Sequence, residues 1–322
     1  MKNDDFNRRF LEILLERIPG KNDCAEILAD LLQIDKASAY RRLSGKIKFN
    51  VAETANLAAQ FGISLDSILD DIRNDRPATM RLEFWERYGA LDEQVIRDSF
   101  DGFEAFVNNA NSEIGVATDR LPFILAVHYE ALSRFLFFKW GHYFTSLPEF
   151  RRFNTAVFPA RSRPLYDRYA ELYTQVKYSF CIWDDAIIPN LVRDIVYFKE
   201  MGMLTSEEVA DIKADIQRLL LKLESLATTG YYPVTGNRFE LYRSSLSIPG
   251  EHMYTSDDHA LTYHLGAFVI RTMFTPHQTH TEEMKTSINS IKHGAILISG
   301  CAEKERLAFF DSQRRVVDSI TP

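Results

Sequence analysis

Apolar residues first recur with a helical period at Phe6, Phe10, Leu11, Leu14, Leu15 and Ile18, and the run stops at Pro19-Gly20. Ala25, Ile27, Leu28, Leu31 and Leu32 repeat the pattern, with Asn22 or Asp23 available to cap a second helix. The chain then turns at Gln33-Ile34. Asp35 can cap a third helix, because its carboxylate accepts a hydrogen bond from an orphan backbone N–H of the first turn. The spacing predicts that helix over residues 36–43, with Ala39 and Leu43, four apart, on its buried face. Gly45 suits the reversal after it, since glycine tolerates positive φ. Asn50 and Glu53 have capping-box spacing and open a fourth helix carrying Leu57, Ala58 and Phe61. Gly62 ends it, and Ser64 starts a fifth with Leu65, Ile68 and Leu69.

Beyond Leu69 the chain becomes polar, with Asp70, Asp71, Arg73, Asn74, Asp75 and Arg76 before Pro77, and residues 73–80 read as a linker. From 81 to 230 the period is helical again, as at Leu82, Phe84, Trp85 and Tyr88 and then Phe100, Phe103 and Phe106. The best-formed helix starts at Thr205-Ser206-Glu207-Glu208, carries Val209, Ile212, Ile216, Leu219, Leu220, Leu223 and Leu226 on one stripe, and ends at Gly230. Residues 231–322 change character. Strands are expected at 239–247, 267–274 and 295–299, with helices at about 281–291 and 302–317. The expected fold class is mainly α: a five-helix N-terminal domain (1–72), the linker, a large helical middle region (81–230) and a small α+β C-terminal unit (231–322).

At 322 residues the chain exceeds what one hydrophobic core usually serves, in keeping with several domains. Its 46% hydrophobic and 26% charged residues are those of an ordinary globular protein. Cys24, Cys181 and Cys301 are far apart with no C-x-x-C pair, which argues against a disulfide framework or a thiolate zinc site. The charged start MKNDDFNRRF has no signal-peptide core, so a cytoplasmic location is expected. Residues 122–144 are long and aromatic enough to suggest a membrane span, but Glu130, Arg134 and Lys139 fall inside, each costing about 3 kcal/mol at bilayer depth. A core helix is the better reading, and no membrane partner is expected.

Charge is informative locally. The whole chain carries −7, and residues 1–76 hold 12 basic and 13 acidic side chains, yet residues 36–48 (KASAYRRLSGKIK) contain Lys36, Arg41, Arg42, Lys46 and Lys48 and no acid. Such a cluster is an electrostatic footprint for phosphates, although a charge run is also what a solvated helix face shows.

Five short helices, the second and third separated by a tight turn, resemble the lambda-repressor-like (XRE-type) helix-turn-helix family. The resemblance is carried by residues 24–69, through Leu28-Ala29, Ile34-Asp35, Gly45 and Phe61-Gly62-Ile63-Ser64-Leu65, and by Ala-Tyr-Arg-Arg-Leu-x-Gly at 39–45. It implies a third helix lying in the major groove of double-stranded DNA. Lys36, Ala37 and Ser38 would then meet base edges first, with Tyr40 and Arg41 one turn on. Arg41 would read guanine through two parallel donors, worth about 1–3 kcal/mol of discrimination. Lys46, Lys48 and the helix start capped by Asn50 would meet phosphate. Arg42 is open between a phosphate contact and a salt bridge towards the first helix. Two departures stand out: Ala25 replaces a glutamine that clamps phosphate in many members, leaving that contact to a neighbour such as Asn22. Gln33 stands where glycine is usual, at a cost of about 1 kcal/mol if left-handed.

Candidate sites elsewhere each have a bland reading. His277 and His280, with Asp257, Asp258, His259 and His264 near in sequence, could gather a metal or simply populate polar loops. Asp184 and Asp185 are adjacent and so point apart. Cys301, at a helix start, could be a redox thiol, but a buried inert one is the simpler expectation, and His128 reads as a core histidine. No G-x-G-x-x-G after a strand, Walker loop, G-x-S-x-G or H-E-x-x-H occurs. The expectation is a sequence-specific transcriptional regulator, homodimeric, without enzymatic activity, cofactor or metal, whose C-terminal region serves oligomerisation or senses an unknown small-molecule or protein effector. The alternatives are a helix-turn-helix fused to an enzyme-like domain and an interaction module that no longer binds DNA.

Overall fold

The computed structural model describes residues 3–18, 24–65, 68–69, 81–83, 102–145, 147–157, 163–267, 271–275 and 278–321. Pro19-Gly20, Asn22, Asp23, the 73–80 linker, Phe84, Trp85, Tyr88, Phe100 and His277 lie outside the described residues. The chain divides into two compact units, Met1–Thr79 and Met80–Pro322.

In the first unit α1 spans Asn3–Arg17, α2 Cys24–Leu32, α3 Lys36–Leu43 and α4 Val51–Gln60. Residues 65, 68 and 69 are helical where a fifth helix is expected. The periodic apolar positions face inward: Phe10, Leu14, Leu28, Ala39, Leu57 and Ile68 are fully buried in one cluster, and Leu43 packs against it half-buried. Both caps form. Asp35 accepts from the Ser38 N–H at 2.8 Å, and Asn50 and Glu53 make a reciprocal capping box. Gly45 sits at φ 71°, the left-handed conformation the reversal needs.

The second unit departs from the expected division at 230. Among the described residues its eight strands form one mixed sheet, built on both sides of that boundary. They are β1 (Arg81–Glu83), β2 (Glu113–Thr118), β3 (Tyr178–Trp183), β4 (Arg238–Arg243), β5 (Glu251–Ser256), β6 (Leu261–Ala267), β7 (Arg271–Thr275) and β8 (Ile296–Leu297), in the order β1-β7-β6-β5-β2-β3-β4-β8. β2, β3 and β4 run parallel at the centre, and the other pairings are antiparallel. The region expected to be all helical therefore supplies β1, β2 and β3. Central parallel strands are covered on both faces, so SFCIW in β3 lacks alternation and reads as well for a buried helix as for a strand.

Helices cover both faces. α5 (Phe123–Ala126), α6 (Glu130–Phe144), α7 (Arg163–Tyr173), α8 (Ile187–Glu200), α9 (Ser206–Thr229) and α11 (Glu303–Asp318) contribute to the large core against Ile114, Val116, Cys181, Trp183, Phe239 and Leu241. The alternate residues Ala117, Phe180, Ile182, Tyr254 and Tyr263 meet Ile288 of α10 (Gln278–Gly294) on the other face, as a period of two requires. Gly115 is fixed by crowding there, for a Cβ would lie 2.5 Å from the rings of Phe180 and Tyr254.

Two lysines seven apart, hence on one helix face, fasten α10 to this second face. Lys285 reaches Glu113 at 3.3 Å, while Lys292 lies 3.6 Å from the buried Glu240 and 4.2 Å from the centroid of Phe180. The hydroxyls of Tyr178 and Tyr242 also donate to Glu240. On the first face Asp215 of α9 is buried within the core, and its carboxylate accepts the Leu132 N–H at 3.0 Å, capping from a distance a helix whose own N-cap, Tyr129, offers no acceptor. Asp215→Ala leaves that donor unsatisfied and should cost about 1–3 kcal/mol. All three tryptophans, Trp85, Trp140 and Trp183, follow Thr79, so urea unfolding watched by tryptophan fluorescence reads the second unit; an unchanged midpoint would refute the capping role.

Candidate nucleic-acid interface

The basic segment lies on α3 and the loop into α4, and its charges are placed unequally. Arg41, Lys46 and Lys48 are exposed, as are Lys36, Ala37, Tyr40 and Asn50; Ser38 is half-buried. The side chains of Arg41 and Lys46 have no ion-pair partner among the described residues. Lys36 contacts Glu26 of α2 at 3.0 Å, but both side chains are more than half exposed, so the pair is worth little and opens easily.

Arg42 is different. Its side chain is 15% exposed and grips Glu53, which is 14% exposed, with Nε at 3.1 Å and Nη2 at 2.7 Å. Of the two alternatives for Arg42 a salt bridge is formed, and its partner is on α4 rather than on α1. Glu53 also accepts the Asn50 N–H at 3.0 Å, so one carboxylate closes the cap of α4 and anchors α3. Arg42 holds the Glu53 carboxyl below its usual range, outweighing the opposing effect of burial. The hydroxyl and N–H of Ser38 likewise lower Asp35, at 2.7 Å and 2.8 Å.

The loop is tied back as well. Ile47 N–H donates to the Arg41 carbonyl at 3.0 Å and Ser44 N–H to that of Tyr40 at 2.9 Å, which keeps residues 44–47 beside the end of α3. The turn between α2 and α3 carries strain, because Gln33 adopts φ 53°. Ala25 is buried at the start of α2 and presents nothing to solvent.

The other candidates do not converge. Among the described residues no group of three His, Cys, Asp or Glu side chains is placed to hold a metal. Asp257 closes its own turn by accepting the N–H groups of His259 and Ala260, and Asp258 takes Asn111 at 2.8 Å. Burial pushes His264 down to about 4. Asp184 is buried and accepts from Ala186 and Ile248, whereas the exposed Asp185 pairs with Arg243. Two expectations are corrected. His128 is exposed, 3.5 Å from Asp167, because it falls in the break between α5 and α6; Cys301 is exposed, lying in the bend before α11 rather than on its buried face.

With this geometry in view, comparison with known families is decisive for one segment. Residues 7–99 match the BetR domain. This is a family of helix-turn-helix-type DNA-binding domains, and the match starts within α1 and contains α2 to α4, the basic segment and β1. The BetR segment thus runs past the boundary at Thr79 into the second unit. No match to the chain was found among curated proteins or among solved structures.

Two substitutions test the local physics. Glu53→Ala frees Arg42 and removes the carboxylate half of the α4 capping box, leaving the bond to the Asn50 side chain, and should lower amide-exchange protection of residues 36–43 by the equivalent of about 1–3 kcal/mol. Because the Glu53 carboxyl is lowered, its contribution is complete above the ordinary carboxylate range and fades as pH falls through the lowered value. Wild type and variant should therefore converge in acid, and a gap that persists there would exclude the ion pair as its source. Gln33→Gly relieves the left-handed strain and should raise protection of the first unit by about 1 kcal/mol; a decrease would mean that the glutamine side chain outweighs the strain.

Proposed function

We propose that this chain is a sequence-specific, DNA-binding transcriptional regulator of the lambda-repressor-like type. The observation that carries the proposal is an acid-free basic segment exposed on a short, firmly anchored helix inside the BetR match. α3 enters the major groove with Lys36, Ala37 and Ser38 leading and Tyr40 and Arg41 behind them. Arg41 pairs with guanine, while Lys46, Lys48 and the Asn50-capped start of α4 take phosphates. Arg42, held by Glu53, sets the pitch of the helix and reaches DNA only through the residues it positions.

One such module makes few contacts, so the working form in this proposal is a homodimer on a two-fold symmetric site with half-site centres about 34 Å apart. The second unit supplies the dimer contacts and senses an effector. No catalytic step is assigned to it, and the protein works in the cytoplasm. No helix among the described residues is long and apolar enough to cross a membrane.

Selection of duplexes from a random pool by the full chain at two salt concentrations tests the proposal. Enrichment of a symmetric site, with affinity falling steeply as salt rises, is the expected result. Arg41→Ala should cost about 1–3 kcal/mol at one base position and relax preference there, whereas Lys46→Ala should weaken all sequences alike and reduce the salt slope by about one. Failure to retain any duplex at low salt would overturn the proposal.

A further inference from the structure

Glu251, the first residue of β5, places its side chain on the large-core side of the sheet. The register fixes that side: Glu251 stands opposite Thr118 of β2, which alternates with Ile114 and Val116 of the large core, and opposite Gly266 of β6. Cross-strand partners share a face, as do alternate residues of one strand. Met253, two residues on, packs against the same core, and its partner on β6 is His264. Glu251 and His264 are therefore diagonal neighbours on one face. The position opposite Glu251 is kept free of a side chain, for a Cβ on Gly266 would lie 2.8 Å from the Glu251 Cβ.

The Glu251 carboxylate has no hydrogen-bond or ion-pair partner among the described residues. Its side chain is half-buried, yet burial pushes the carboxyl up against the opposing effect of Arg120. Arg120 is itself nearly half exposed and pairs with Asp119 at 3.4 Å. Burial also pushes Cys181 up to about 12 and Tyr173 well above its ordinary value, and the Glu251 charge adds to both, which sets this carboxylate near the core. His264 is likewise half-buried and is held neutral by burial. Side chains that keep accessible surface while poorly solvated line an inlet; on the outer surface, water would hold both groups near their ordinary values.

An unpaired carboxylate in such a place carries a desolvation cost that a bound cation would offset. A metal ion needs more ligands, and no third His, Cys, Asp or Glu joins these two among the described residues. An organic cation needs one carboxylate for its charge, no competing charge from the neighbouring imidazole, and an apolar wall, which Met253 supplies. We infer that Glu251, with His264 beside it, anchors a small protonated organic amine, a primary ammonium or a guanidinium, and that this is the class of effector the second unit senses. The inference rests on the regulatory reading above and gives its sensing step a site.

Urea unfolding of the full chain watched by tryptophan fluorescence, which reads the second unit, tests this without DNA. The probes are butylammonium and butylguanidinium, with butyrate and 1-butanol as controls of the same chain length, at constant ionic strength. A ligand that binds the folded state raises the midpoint by mass action. At least one cation should raise it saturably, and neither control should. Glu251→Gln, which keeps the shape and removes the charge, should weaken that binding by about thirtyfold or more. Asp211→Asn, at an exposed carboxylate of α9, should leave it unchanged. Without ligand, Glu251→Gln should unfold at a midpoint no lower than that of the wild type, because the carboxylate it replaces has no partner; a lower midpoint would make Glu251 a structural group and overturn the inference. No rise with either cation would overturn it, as would an equal rise in Glu251→Gln or with 1-butanol. Amine binding through Glu251 that leaves duplex affinity unchanged is a separate outcome, which keeps the site and overturns the sensing role in the underlying proposal.

Discussion

The geometry of the basic segment hangs on the Glu53 carboxylate. α3 has eight residues, far fewer than an isolated helix needs in water, and Ala39 is its one fully buried side chain. Apolar burial alone secures such a helix weakly. Glu53 supplies the rest by accepting from Arg42 Nε, Arg42 Nη2 and the Asn50 N–H at once. The last of these bonds completes the capping box of α4, so one carboxylate ties together the two helices on either side of the loop. With Arg42 committed inward, the exposed side chains of α3 are Lys36, Ala37, Tyr40 and Arg41. The proposed reading surface draws on this division between a cation that positions and cations left exposed, because a contact made by a loosely held helix loses affinity to the cost of ordering it.

That arrangement was largely legible in the sequence. Asp35, Asn50 with Glu53, and Gly45 each mark a local event whose physics acts within four residues, and the structure places each as its local chemistry dictates. The strain at Gln33 was legible for the same reason. The partner of Arg42 was not, because eleven residues separate it from Glu53 and the capping-box reading had already assigned that carboxylate a role. Nothing in the spacing says that one carboxylate serves both. The exposure of Ile47 and Val51 was equally hidden, since a periodic pattern does not tell which apolar residues a short helix leaves outside.

The second unit shows where such reading fails. α9 and α11 were evident, because a long amphipathic stripe and a capping box are local signals. β2 and β3 were not: their neighbours in the sheet, β4 and β5, arrive about sixty to one hundred and forty residues later, and burial on both faces erases alternation. β5 and β6 are hidden for the opposite reason. They carry Glu251, His252, Thr262 and His264 in a pattern that reads as polar loop, and only the sheet pairing gives those residues a place. The clasps of Lys285 on Glu113 and Lys292 on Glu240 depend on strands meeting a helix from far along the chain, so composition could count the charges without pairing them.

The BetR match and the structural units divide the chain differently, and the difference has a physical meaning. The match runs to residue 99, while the first unit closes at Thr79. Between those points lies β1, which pairs with β7 from Arg81 opposite Phe274 to Glu83 opposite Thr272. A three-residue strand has no stability of its own and exists only because β7 offers it an edge. The matched segment therefore includes a short strand whose structure depends on the second unit. A fragment cut at Thr79 would keep the core of Phe10, Leu14, Leu28 and Leu57 intact but discard about twenty residues of the matched segment. A fragment cut at residue 99 would keep the segment whole and leave β1 without the edge that forms it. A longer chain satisfies both, and in this protein the segment that matches a helix-turn-helix family includes one strand of the second unit's sheet.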